Sequence, residues 1–151
     1  MKEYLHFINN EWIESESNEW FESENPYTGK TWAKISKGSE LEVDKATQAA
    51  NQALTGDWGS YTATARGKLL VKLAEIIEED SARLGKIETT DNGKLLAEMS
   101  AQTKVIAEWY RYYGGLADKV EGSVLPATKE GMFNFTRYEP LGVIGMITAW
   151  N

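Results

Sequence analysis

The chain contains no cysteine, and His6 is its only histidine. Without a thiol it cannot by itself be a cysteine protease, a thiol oxidoreductase, a thiolate zinc protein or a disulfide-stapled mini-domain. A single imidazole excludes a histidine-based metal cluster, and a Ser-His dyad would have to draw on a strand-like run. No metal site is expected. Basic charge is scarce too: 16 Lys and Arg stand against 23 Asp and Glu, a net of −7. Nothing offers the basic face that displaces the counterions of nucleic acid, so no nucleic-acid partner is expected. Long apolar runs are missing as well. The most apolar stretch, residues 141–150, falls far short of the roughly 20 residues that a bilayer requires. The first ten residues lack the charged start, apolar run and cleavage site of an export signal. A cytoplasmic protein with no membrane partner is the expectation.

What is present is ordinary for a folded domain, at 42% hydrophobic and 26% charged. The acidity is concentrated at the start, where Glu3, Glu11, Glu14, Glu16, Glu19, Glu22 and Glu24 face Lys2 alone. A solvated strand face that discourages stray edge pairing explains this; an acidic docking surface is the other reading. Residues 4–37 read as β structure. Asn9-Asn10 supplies turn chemistry, and Asn25-Pro26-Tyr27-Thr28-Gly29-Lys30 forms a strong turn before a strand over 31–36.

At Ser39 the period changes. Ser39-Glu40-Leu41-Glu42 is a capping box, predicting a helix to about Leu54 that Gly56 ends. A second helix is predicted from about Thr62 to Asp80, with Leu69, Leu73, Ile76 and Ile77 as its apolar stripe. Ser81 restarts a third, carrying Leu84 and Ile87 and stopped by Gly93. A fourth spans Leu95 to about Asp118, with Met99, Ile106, Tyr110 and Tyr113 on one side. Val120 to Leu125 and Phe133 to Glu139 look like a hairpin. Leu141 to Thr148 reads as a strand buried on both faces of a parallel sheet. Such a strand needs neighbours and a crossover helix, and ligands of open parallel sheets bind at strand carboxyl ends. A piece of a larger fold is therefore expected.

The candidate constellations are individually modest. Gly142-Val143-Ile144-Gly145 is not Gly-x-Gly-x-x-Gly and lies within the strand-like run, where small residues admit close packing. Trp109, Tyr110, Tyr112 and Tyr113 suit a core or subunit contact better than a base-stacking platform. Glu75, Glu78, Glu79 and Asp80 lie on a polar helix face and receive no role. Asp91-Asn92-Gly93-Lys94 is a helix cap or a functional loop. Asn151 presents an amide NH2 at a strand mouth, suited to donating a hydrogen bond to a developing oxyanion.

Seven blocks, in order, resemble the N-terminal part of the NAD(P)-dependent aldehyde dehydrogenases. They are Phe7-Ile8-Asn9-Asn10-Glu11-Trp12, Asn25-Pro26-Tyr27-Thr28-Gly29-Lys30, Val43-Asp44-Lys45-Ala46 and Arg66-Gly67-Lys68-Leu69-Leu70. Then come Glu88-Thr89-Thr90-Asp91-Asn92-Gly93-Lys94, Arg111-Tyr112-Tyr113-Gly114-Gly115-Leu116-Ala117-Asp118-Lys119 and residues 139–151, Glu-Pro-Leu-Gly-Val-Ile-Gly-Met-Ile-Thr-Ala-Trp-Asn. The resemblance implies an α/β fold: β arm strands, four helices, an oligomerisation hairpin and the first Rossmann-like strand. Residues 1–151 would be the N-terminal segment of the cofactor-binding domain, with 120–140 in the oligomerisation arm and the catalytic domain absent. It implies oxidation of an aldehyde to a carboxylic acid with NAD or NADP, in a homo-dimer or tetramer, by a full-length enzyme. Asn151 would be the catalytic asparagine, and Ile147, Thr148, Ala149 and Trp150 the wall against which the cofactor lies. The family usually has proline where Ala149 stands, and alanine leaves φ freer. The nucleophilic cysteine and general-base glutamate have no counterpart here, so the chain alone is expected to be inactive. A non-catalytic oligomerisation or interaction module derived from the same family is the alternative.

Overall fold

The structure, a computed structural model, describes residues 1–149. The first third is β: β1 (Lys2–Tyr4), β2 (His6–Ile8), β3 (Glu11–Ile13), β4 (Trp20–Asn25) and β5 (Lys30–Ser36). β2 and β3 form an antiparallel hairpin of their own, closed by Asn9 and Asn10 at φ 53° and 64°. Two consecutive positive φ values define the two-residue turn that suits strand twist, and asparagine tolerates them. β1, β5 and β4 make a second sheet in that order, β1 parallel and β4 antiparallel to β5, with an irregularity at Ser23/Glu24.

Five helices follow: α1 (Glu40–Thr55), α2 (Asp57–Ser60), α3 (Ala63–Glu79), α4 (Ser81–Asn92) and α5 (Leu96–Leu116). The Ser39/Glu42 capping box is formed, and Gly93 ends α4 in the left-handed conformation at φ 78°. Sequence reading did not anticipate α2, a single turn.

The helices follow the expected apolar stripes only in part: Met99 is buried and Ile77 and Tyr110 half-buried, but the rest of the α3 and α5 stripes is not. α3 meets α5 through Gly67 and Ala74, while Leu69, Leu73 and Ile76 of the expected stripe stay exposed. α5 buries Met99, Thr103 and Ala107, and leaves Ile106 and Tyr113 outside. The reason is close approach. A Cβ on Gly67 would lie 2.4 Å from the Gly114 carbonyl oxygen, and one on Gly114 would lie 2.8 Å from that of Gly67. Small residues at the crossing let the backbones touch, and that contact sets the rotation of both helices. Glu78, read as merely solvated, pairs with Arg111 and so ties α3 to α5.

The hairpin near the end is confirmed in shortened form, as β6 (Val124–Leu125) paired antiparallel with β7 (Asn134–Phe135). The strand expected over Leu141–Thr148 is absent: residues 136–149 carry no regular structure. A strand exists only through partners for its peptide groups, and among the described residues this segment has none. Leu141 is 96% exposed and Ile147 102%. No helix among the described residues is long and apolar enough to cross a membrane.

Candidate functional site

The segment to which sequence reading assigned cofactor contacts leaves β7 and runs past the end of α1. There a Cβ on Gly142 would stand 4.0 Å from Leu54 Cδ1. Gly142 is half-buried; from Val143 to Ala149 every residue is exposed. Ile147, Thr148 and Ala149 therefore sit together with nothing over them. Trp150 and Asn151 lie outside the described residues, so the arrangement of the full predicted set is not described. Among the described residues no backbone hydrogen bond outside helices and strands involves residues 137–149. An uncovered apolar side chain beside unengaged peptide groups fits one wall for a flat, polar-edged cofactor ring. No opposing wall stands among the described residues.

Two polar nodes tie the helices to the N-terminal β structure. In the first, Asp91 Oδ1 on α4 accepts from Ser23 Oγ of β4 and from Trp32 Nε1 of β5, the latter at 3.1 Å. Trp32 Nε1 also reaches Ser23 Oγ at 3.1 Å. Gly93 forms the helix cap, one of the two readings of this motif, while Asp91 does more than decorate it. It locks the last turn of α4 to the sheet. Nothing in the linear sequence pairs Asp91 with Ser23, 68 positions away.

The second node is Glu42, 3% exposed. Its Oε2 accepts from the Ser39 amide at 2.8 Å, Ser39 Oγ at 2.7 Å and Ser15 Oγ at 3.0 Å. Its Oε1 accepts from the Glu16 amide at 3.1 Å. Ser39's hydroxyl and amide, then the Glu16 amide, hold the carboxyl at about 2, below its usual 4.5.

Apolar surface elsewhere is unusually open. On the side of α5 away from α3 and α4, Val105, Glu108, Trp109, Tyr112 and Tyr113 line a groove of about 680 Å3. Trp109 is 58% exposed. Its ring stacks near Tyr113 at 6.3 Å between centroids and stands edge-on to Tyr112. Among the described residues Trp109, Tyr112 and Tyr113 thus make no core contact, while Tyr110 is half-buried. The β6–β7 hairpin similarly exposes Val124, Phe133 and Phe135.

Comparison with known proteins accounts for this architecture. The model of the aldehyde dehydrogenase family matches residues 12–151. The chain belongs to the aldehyde dehydrogenase family. A curated relative, (Z)-2-((N-methylformamido)methylene)-5-hydroxybutyrolactone dehydrogenase of Acinetobacter baylyi, is 43% identical over 100% of this chain and 31% of its own length. Human retinal dehydrogenase 2 is 40% identical over 96% of the chain and 28% of its own length. Among solved structures, the NAD+ complex of an aldehyde dehydrogenase from Bacillus cereus superposes with TM-score 0.88 at 34% identity. It covers 93% of this chain and 29% of that one. The chain thus spans under a third of the length of these relatives, and its mixed α/β fold is that of the N-terminal part of an aldehyde dehydrogenase.

Proposed function

We propose that the chain supplies the N-terminal portion of an enzyme that oxidises an aldehyde to a carboxylic acid with NAD or NADP. The observation that carries this reading is the family match over residues 12–151. Residues 1–151 act as the first segment of the cofactor-binding domain, and 120–140 belong to an arm that pairs subunits into a homo-dimer or tetramer in the cytoplasm. The exposed apolar residues of the β6–β7 hairpin support that assignment, since an isolated two-stranded hairpin is marginal in water.

Asn151 donates its side-chain NH2 to the oxyanion that forms when a thiolate attacks the aldehyde carbonyl. The donor stabilises the charge only where it develops, and its loss costs about 3 kcal/mol in comparable acyl chemistry. Ile147, Thr148, Ala149 and Trp150 would hold and orient the cofactor. The nicotinamide, when bound, accepts the hydride. No thiol occurs in the 151 residues, so this chain holds and positions but does not attack.

The test is a chimera in which this chain replaces the matching segment of the Bacillus cereus enzyme. Aldehyde oxidation should be retained. Asn151→Ala in the chimera should lower kcat roughly a hundredfold or more, with NAD+ affinity unchanged. Full activity of Asn151→Ala would refute the assignment. The open α5 face and hairpin favour one second reading, a non-catalytic module that associates through them. A correctly assembled but inactive chimera would favour it.

A further inference from the structure

The β2–β3 hairpin pairs with no strand outside itself among the described residues. It is tethered at both ends. On one side β1 is registered in parallel on Ala33–Ile35 of β5. On the other, the connector Glu14–Glu19 turns at Asn18, φ 53°, with the Asn18 amide on the Ser15 carbonyl. Between these tethers the hairpin lies over α1, where Phe7 and Ile8 face Ala46, Ala49, Ala50 and Ala53 across an open groove. Methyl groups offer little area to bury, and Phe7 and Trp12, ring to ring at 4.8 Å, remain exposed. Apolar contact therefore holds this element weakly.

The connector is held differently. Ser15 Oγ and the Glu16 amide both donate to Glu42, as do the Ser39 amide and hydroxyl from the N-terminus of α1. The Ser15 amide donates to Ser36 Oγ at 2.9 Å, and Glu16 pairs with Lys45 at the surface. Glu42 makes no direct ion pair among the described residues, so neutral donors alone satisfy this buried carboxylate. Two of its four donors come from the connector. Hydrogen bonds to a charge are the stronger kind, and withdrawing a donor leaves charge buried without compensation.

We infer that Glu42 is the fastener of a releasable strap: residues 6–17 open as one unit from α1 when its hold on Ser15 and Glu16 is lost, while the helical layer stays closed. Ser39 serves the helix cap, and Ser15 and Glu16 serve the strap. The carboxylate joins the two functions.

Native-state hydrogen exchange on the 151-residue chain tests this. In Glu42→Gln the amide group cannot accept from all four donors. Exchange at residues 6–17 should rise roughly tenfold or more, with protection in α3, α4 and α5 unchanged. Ser15→Ala keeps the carboxylate and the cap, and provides a decisive variant if Glu42→Gln fails to fold. It should speed exchange at 6–17 several-fold and leave the first turn of α1 as it was. Ser39→Ala should do the reverse. Uniform loss of protection in Ser15→Ala, or matching exchange patterns in Ser15→Ala and Ser39→Ala, would overturn the proposal. So would unchanged exchange at 6–17 in Glu42→Gln.

Discussion

Gly67→Ala is the sharpest test of how the helical layer is assembled. The added Cβ would stand 2.4 Å from the Gly114 carbonyl oxygen and 3.1 Å from Ala117 Cβ. Ordinary contact needs about 1 Å more than the first distance allows, so α3 and α5 must separate locally. The obstacle is backbone, not a side-chain tip that could swing away. Overpacking of this kind costs about 1–3 kcal/mol. Alanine returns up to about 1 kcal/mol of helix propensity, leaving a net loss of up to about 2 kcal/mol. Gly115→Ala is the matched control: it lies on the same helix, and a Cβ there meets nothing within 4 Å. It should raise stability by a few tenths to about 1 kcal/mol. Urea unfolding of the three proteins, with equal m values, would read both signs. If Gly67→Ala proved as stabilising as Gly115→Ala, the close crossing would not be what orients these helices.

Two further predictions concern the polar nodes. Asp91→Ala leaves Ser23 Oγ without its acceptor and Trp32 Nε1 with Ser23 Oγ alone. It should cost about 1–2 kcal/mol in the same urea assay, with Asp91→Asn losing less because one oxygen remains. Glu42 has a folded-state value of about 2 against a usual 4.5. A lowered folded value means stabilisation that is complete above pH 4.5 and lost as pH falls toward 2. Thermal unfolding should therefore show a larger acid-side fall in Tm for the natural chain than for Glu42→Gln, the two converging near pH 2.

The parts of the fold legible in the sequence are those that local chemistry decides. Asn9-Asn10, Ser39 with Glu42, and Gly93 each satisfy a backbone requirement within a few residues, and each is found doing so. Helix faces were less legible. α5 is apolar on more than one side, so periodicity could not distinguish the face bearing Met99, Thr103 and Ala107 from the one bearing Val105 and Trp109. The choice falls to glycine and alanine, which an apolar-stripe reading undervalues. For Leu141–Thr148 the composition of a buried strand is real, but strand geometry depends on partners, and none is described for it. Of the candidate site, Ile147, Thr148 and Ala149 are placed together and uncovered. Asn151 was singled out by the family's sequence pattern, since a lone asparagine carries little signal of its own. The Asp91 and Glu42 nodes depend on long-range partners that spacing cannot reveal.

The most direct measurement is NADH or NADPH formation by the purified 151-residue chain with saturating NAD+ or NADP+ and a panel of aldehydes. A segment proposed to supply an oxyanion donor and a cofactor wall, and containing no thiol, should give no turnover above the protein-free rate. Sustained aldehyde-dependent reduction of either cofactor by this chain alone would contradict the division of labour proposed for it.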